Sequence, residues 1–297
     1  MNLLTLMAIL QNTLQTIEWL QEQGLLRKGV RCRERNCRRQ MEMVPRADSQ
    51  DGVRWRCRCG KTRSIRDGSF FEKSNLSLGK IVLIVYCWSV DTCMTATSVM
   101  VGVSESTVID WFNMLRGECR SKLLQLPMDD RMLGGQDQIV EIDESMMIKR
   151  KYSRGAARPH HDLWVFGMYD RQRKVGVVEL VDRRDAPTLE QLIKRYIRPG
   201  SIIYSNSLAV HNGLGALGYK HEVLIHADVV VDPNTGVHTK GVETYCSRAK
   251  RKLKACHGSV SEMIPSYFEE FMWRERYGLD HVEAFKNIRL HLAERYH

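Results

Sequence analysis

Three acids stand inside one apolar run, Val140-Glu-Ile-Asp-Glu-Ser145, and four cysteines stand in two close pairs, Cys32-x4-Cys37 and Cys57-x-Cys59. Carboxylates in a stretch that otherwise reads as a buried strand lower stability unless they are solvated or serve a site. The run is therefore either an edge strand with its acids in water or an oxygen-ligand site centred on Asp143. Two cysteine pairs on separate turns can give four thiolates to one tetrahedral zinc, and a stretch too short for its own core needs such a staple. One knuckle is wider and the other narrower than the usual spacing, so four unligated buried cysteines stand as the alternative. A third candidate is Glu243, the single acid between Gly236 and Lys254. In that stretch Val242, Tyr245, Cys246, Ala249, Leu253 and Cys256 recur at helical spacing, the apolar stripe of an amphipathic helix. Glu243 lies at its border, with Ser247, Lys250, Arg251 and Lys254 stacked above it. Taken alone, a Glu beside lysines reads equally as a solvated pair one helical turn apart.

The elements that must position these residues are set in a chain of 297 residues with a formal net charge of +10. That length buries a real core and suggests two domains. The charge points to a polyanionic partner such as nucleic acid. Met1 to Leu10 is apolar, but no basic segment precedes it and Gln11, Asn12, Gln15 and Glu18 interrupt it, so an amphipathic helix through Leu20 is expected rather than a signal peptide. No later run reaches the length of a membrane span. Nine cysteines, an odd and unevenly spread set, suit a reducing compartment. The expectation is an intracellular protein without a membrane partner, nuclear in a eukaryote and in the nucleoid or cytoplasm of a bacterium.

Residues 1–25 form the N-terminal helix. Residues 26–73 carry the cysteine pairs and are dense in base, from Arg27 and Lys28 through Arg38 and Arg39 to Arg63 and Arg66, a surface that suits phosphate binding or simply solubility. Residues 74–130 read as helices: Leu78, Ile81, Val82, Val85, Tyr86 and Ser89 mark one, and Thr95–Met100 and Ser104–Leu115 mark two more around Val101-Gly-Val103. That pair resembles a helix-turn-helix capped by Ser104 or Ser106, with plain three-helix packing as the alternative. Leu126-Pro-Met-Asp-Asp130 and Gly134-Gly135 read as a linker.

Beyond it strands and helices alternate. Gln138–Ile148 is a strand, Leu163–Tyr169 and Val175–Val181 a hairpin, Pro187–Ile197 a helix, Ser201–Tyr204 and His221–His226 strands, and the Glu243 stretch a helix. Three strands, then helix, strand, helix, strand, helix is the order of an α/β domain of RNase H-like type. In that fold the first strand, the end of the fourth and the start of the late helix converge, which places Asp143, Asn206 and Glu243 together. Two divalent cations about 4 Å apart need one bridging carboxylate and others that hold each ion from outside, the arrangement used for phosphoryl transfer. His160-His161-Asp162 reads as a loop, and His211, His221, His226 and His257 have no ligand spacing. Cys87, Cys93, Cys119 and Cys256 suit core or helix positions.

Val140-Glu-Ile-Asp-Glu-Ser145, Arg150-Lys-Tyr-x-Arg-Gly155, Pro199-Gly-Ser-Ile-Ile-Tyr-Ser205, Asp232-Pro-x-Thr-Gly-Val-His-Thr239 and Gly241-Val-Glu243 with Ser247-Arg-Ala-Lys-Arg251 resemble the Merlin superfamily of DDE transposases and its bacterial insertion-sequence relatives. The resemblance extends to the paired cysteines, Trp55, Gly60, Ser64-Ile-Arg66 and Glu270-Phe-Met-Trp-Arg274. It implies an RNase H-like catalytic domain over residues 134–258, a zinc ribbon over 26–73, a helix-turn-helix-like region over 74–130 and a helical tail over 259–297. It also implies two Mg²⁺ or Mn²⁺ ions, a structural Zn²⁺ on Cys32, Cys37, Cys57 and Cys59, transposon ends and target DNA as partners, and a homodimer on DNA. Asp143 matches the first catalytic acid and Glu243 the third, while His238 matches a histidine near the scissile phosphate. Arg150, Lys151, Arg154, Arg248, Lys250, Arg251 and Lys254 are the expected nucleic-acid contacts.

The second acid falls on Asn206, which is neutral and cannot replace a carboxylate between two dications. Leu208 and Cys246 stand where the family commonly has Trp, and Lys240 where it commonly has Asn. The resemblance therefore implies a transposase or transposase-derived protein impaired in catalysis, through decay, domestication or a deliberate change at position 206. Asp228 and Asp232 lie in the loop before the helix, away from the missing acid. A non-enzymatic DNA-binding regulator and an RNase H-like structure-selective nuclease are the alternatives.

Overall fold

Asn2 and Asn12 decide how the chain begins. In the computed structural model, which describes residues 1–148, 163–206, 213–224, 231, 236–255 and 261–296, the Asn12 side chain accepts the amides of Leu14 and Gln15 at 2.8 and 3.2 Å. An Asn that takes up first-turn amides starts a new helix. The expected single helix is accordingly two, α1 (Leu3–Leu10) and α2 (Thr13–Glu22). They belong to the first of two compact units, Met1–Cys119 with Tyr277–His297; Arg120–Arg276 is the second.

The cysteine region folds as three short antiparallel strands in the order β1 (Glu42–Pro45), β2 (Val53–Arg56), β3 (Thr62–Arg63). One of its bases is not surface: Arg66 is 3% exposed and donates Nε to buried Asp51 at 2.7 Å. Helices α3 (Leu78–Ser89), α4 (Met94–Val101) and α5 (Glu105–Gln125) follow. Gly102 ends α4 with φ 66°, a left-handed conformation that glycine adopts without strain, and Ser104 Oγ accepts the Thr107 amide at 3.3 Å to start α5.

The second unit opens with α6 (Met128–Arg131) and then builds a mixed sheet from β4 (Ile139–Ile148), β5 (Leu163–Asp170), β6 (Val175–Val181), β7 (Ile202–Asn206) and β8 (Lys220–Leu224). Among the described residues its order is β6-β5-β4-β7-β8, antiparallel from β4 to β6 and parallel across β4, β7 and β8. Helix α7 (Ala186–Tyr196) connects β6 to β7, starting at Asp185, whose carboxylate accepts the Thr188 amide at 3.1 Å. Helix α8 (Lys240–Ala255) begins at Lys240, so Gly236 to Thr239 precede it rather than forming its first turn. Helix α9 (Ile264–Tyr277) ends the unit, and α10 (His281–Tyr296) lies in the first one. This is an RNase H-like sheet.

Strand alternation divides the core by face. Val140, Ile142, Phe166, Met168, Val177 and Ile203 pack with Leu189 and Ile193 of α7. On the other face Val165 and Val178 pack with Val242, Tyr245, Cys246, Ala249 and Leu253 of α8 and Phe268 of α9. The stripe expected for α8 is thus buried as drawn, with Cys256 outside the described residues. β4 sits at the centre of the sheet, which removes the solvated edge strand as an explanation of its acids.

Candidate active site and metal centres

Parallel pairing of β4 with β7 sets Glu141 beside Tyr204. Two residues further along each strand, on the α8 face, come Asp143 and Asn206. Asn206 Nδ2 donates to Asp143 Oδ1 at 3.2 Å, and Ser145 Oγ donates to Asp143 Oδ2 at 3.0 Å. Asn206 Oδ1 is buried without a hydrogen-bond partner among the described residues. Burial pushes the Asp143 carboxyl above its ordinary range; the Ser145 hydroxyl opposes this, Glu144 and Glu243 add to it, and Lys250 opposes it. An acid raised by burial and by neighbouring acids is in the electrostatic state that a cation relieves.

Glu243 stands in the first turn of α8, exposed to solvent, and its carboxylate accepts Thr239 Oγ1 at 2.7 Å. Opposite Asp143 in the register is Gly167. A Cβ there would lie 2.2 Å from Cys246 Sγ and 3.0 Å from Val242 Cγ2, so glycine is what lets α8 approach the strand pair. Burial, then the charge of Asp143, push the Cys246 thiol up to about 12, which makes it a neutral packing group. Asp143 and Asn206 offer oxygens side by side, a donor type that suits Mg²⁺ or Mn²⁺, but the second is uncharged, and Glu243 adds its charge to the surroundings of Asp143.

The other predicted residues are placed as follows. His238 is 27% exposed at its side chain and its Nδ1 lies 3.1 Å from Arg171 Nη2 and 3.6 Å from Glu141 Oε1. Burial, then Arg171, hold its pKa below 6.5. Lys250 is half-buried and lowered by burial, with Cys246 and Asp143 opposing. Arg251 and Lys254 are exposed, and Arg248 pairs with Glu275. Arg150, Lys151, Arg154, His160, His161, Asp162, Leu208, His211, His226, Asp228, Asp232 and His257 lie outside the described residues. Not foreseen were Arg171, Thr239 and the contacts of Glu141; the one visible sign was that Glu141 shares strand parity with Asp143.

In the first unit the four cysteine sulfurs all lie within 4.8 Å of one another, the only such His, Cys, Asp and Glu cluster among the described residues. Cys32 Sγ is 3.6 Å from Cys59 Sγ, and Cys37 Sγ is 3.5 Å from Cys57 Sγ, with no disulfide. Tetrahedral zinc with Zn–S of about 2.3 Å needs sulfurs about 3.8 Å apart. The Lys61 amide, then the Cys57 thiol, pull Cys59 down to about 7. The unequal spacings are absorbed by the turns, and the donor set fits a structural zinc.

The sheet order is that of an RNase H-like domain. Residues 127–276 match the model of the ISXO2-like transposase domain, and the chain belongs to this family of DDE transposases. The family implies use of divalent metal. No curated protein matches the chain. Among solved structures, an intasome of simian T-cell lymphotropic virus in complex with PP2A regulatory subunit B56 gamma is 11% identical, covering 65% of this chain and 67% of that one, with a TM-score of 0.32. The Mos1 transposase paired-end complex with left transposon end is 15% identical over 73% and 76% of the two chains, with a TM-score of 0.31. No helix among the described residues is long and apolar enough to cross a membrane.

Proposed function

We propose that this chain is a transposase-derived protein of the Merlin superfamily that binds terminal inverted repeats and is impaired in strand cleavage at Asn206. The observation that carries the reading is the 3.2 Å contact in which Asn206 Nδ2 donates to Asp143 Oδ1. The amide supplies no charge, and its N–H takes up a lone pair on Asp143, the acid that would hold the metal. Turning the amide over would set two acceptors against each other, so the contact favours the present orientation.

In the active form of such a site, bound Mg²⁺ or Mn²⁺ supplies an activated oxygen nucleophile and stabilises the departing 3′-oxygen. The chain's own residues hold and orient. Asp143 and Glu243 would hold the metal, Thr239 fixes the Glu243 carboxylate, and Lys250 offsets the local negative charge. Arg251 and Lys254 extend from α8 as phosphate contacts, joined by Arg150, Lys151 and Arg154. Arg248 serves the same surface once released from Glu275. Residues 26–73 and 74–130 dock DNA, 134–258 house the chemistry with α9 packed against their sheet, and two copies assemble on paired ends in the nucleus or nucleoid.

Asn206→Asp is the deciding variant. With Mn²⁺ and a duplex carrying the element's own ends, it is expected to nick DNA while the parent binds without nicking. Full cleavage by the parent refutes the impairment. A second reading, a DNA-binding regulator without chemistry, is favoured by the same Asn206 contact. Its mark is specific binding with a steep salt dependence and no response to Mn²⁺ even in Asn206→Asp. A structure-selective nuclease needs a complete acid set, against which Asn206 counts.

A further inference from the structure

The strand that carries Asp143 holds a second acid that the proposed chemistry leaves unused. Glu141 precedes Asp143 by two residues, shares its face of β4 and is 1% exposed. A buried carboxylate persists only where charge and hydrogen bonds compensate it. Here its two oxygens are divided between two elements. Oε1 accepts Arg171 Nε at 2.9 Å and pairs with Arg171 Nη2 at 2.8 Å. Oε2 accepts the backbone N–H of Val242 at 2.9 Å, in the first turn of α8 and directly before Glu243.

First-turn amides have no partner inside their own helix, so a carboxylate from a neighbouring strand acts as a cap that also docks the helix. Arg171 extends the contact to the segment ahead of α8: its Nη2 donates to the His238 carbonyl at 3.2 Å and meets the ring Nδ1 at 3.1 Å. Arg171 also lies over the Tyr204 ring of β7, 5.0 Å from its centroid. Gly241 makes room for the approach, because a Cβ there would fall 2.8 Å from Glu141 Oε2 and 2.8 Å from Tyr169 Cδ1.

We propose that Glu141, Arg171 and His238 form a latch that docks the start of α8 on β4 and β7 and so sets where Glu243 stands relative to Asp143. The inference rests on the metal reading of Asp143, Asn206 and Glu243 given above. Glu141 and Arg171 are positioning residues, and their charges cancel, so the latch adds no net anion to an acid-rich site. His238 acts through its carbonyl and Nδ1 as the far end of the latch.

The test uses the full chain and two readouts, hydrogen exchange of the peptide spanning residues 240–246 and Mn²⁺ affinity by electron paramagnetic resonance, in the parent and in the Asn206→Asp background. Glu141→Gln keeps the shape, but its amide nitrogen must face either Arg171 or the Val242 N–H, donor against donor. It is expected to speed exchange of the first turn of α8 at least about tenfold and to weaken Mn²⁺ binding about 10–100-fold, the range for groups that orient metal ligands. Glu243→Gln is expected to weaken Mn²⁺ binding without that change in exchange. Arg171→Lys keeps the charge without the fork and is expected to fall between; with His238→Asn it carries the same readouts if Glu141→Gln fails to fold. Parent-like exchange in Glu141→Gln overturns the latch. Faster exchange with unchanged Mn²⁺ affinity, where Glu243→Gln loses affinity, overturns the positioning role and leaves a structural contact. Unchanged affinity in Glu243→Gln overturns the metal reading itself, and the positioning role with it, while the docking contact stands.

Discussion

The cysteine cluster of the first unit and the carboxylate site of the second solve opposite problems. The ribbon has three short strands, and its four thiols face one another, so a zinc ion held there would join its turns. The sheet of the second unit is buried on both faces, and Asp143 and Glu243 accept hydrogen bonds from Ser145, Asn206 and Thr239. On the proposed function, a metal in the first place would belong to the fold and in the second to the chemistry. Substitution is therefore expected to cost the sheet little at Asn206 and the ribbon much at any of its four cysteines.

The largest expected effect follows from that contrast. Cys57→Ser, or a strong zinc chelator, is expected to unfold residues 26–73, because structural zinc contributes about 10 kcal/mol or more to the folding of such modules. Loss of bound zinc in metal analysis should accompany rapid hydrogen exchange there, with exchange across the sheet of the second unit unchanged. Protection retained in the ribbon after zinc removal breaks the comparison. Next in size, Asn206→Asp is expected to tighten Mn²⁺ binding at least about tenfold, since a carboxylate replaces a neutral donor; calorimetric titration reads this directly.

A smaller effect tests the packing that brings α8 to the strands. Gly167→Ala inserts a methyl 2.2 Å from Cys246 Sγ and is expected to lower stability by about 1–3 kcal/mol in urea unfolding, as overpacking does. The smallest effect concerns His238, whose pKa is held below 6.5 by burial and Arg171. The unfolded chain then binds the proton more tightly, so this contribution to stability is present above 6.5 and is lost as pH falls from there toward the folded pKa. Unfolding at a series of pH values should show a weaker acid-side loss in His238→Asn than in the parent.

The strands of the second unit, α7 and the buried stripe of α8 were legible because apolar periodicity reports which face meets the core, whereas β1, β2 and β3 are too short to carry such a pattern. The convergence of Asp143 with Asn206 was legible only through the expected fold, since 63 residues separate them. The start of α8 was misplaced because Gly236 to Thr239 continue the same mixed pattern; Thr239 and Glu243 mark the start locally, and Glu141 accepting the Val242 amide from another strand adds a tertiary contact. The split between α1 and α2 was available in principle, as Asn12 is a strong helix-starting residue. Arg66 was read as surface base because nothing near it in sequence announces burial against Asp51.

One consequence of the amide at position 206 concerns the protein with no ion bound. Two carboxylates at the ends of β4 and β7 would repel across the seam, whereas the Asn206–Asp143 pair closes it with a hydrogen bond. The present chain is therefore expected to melt higher than Asn206→Asp when no Mg²⁺ or Mn²⁺ is added. Excess Mn²⁺ should reverse that order, since binding to the folded state alone raises its melting temperature. Heat resistance in the absence of metal and the capacity for cleavage thus become traits that a single side chain exchanges.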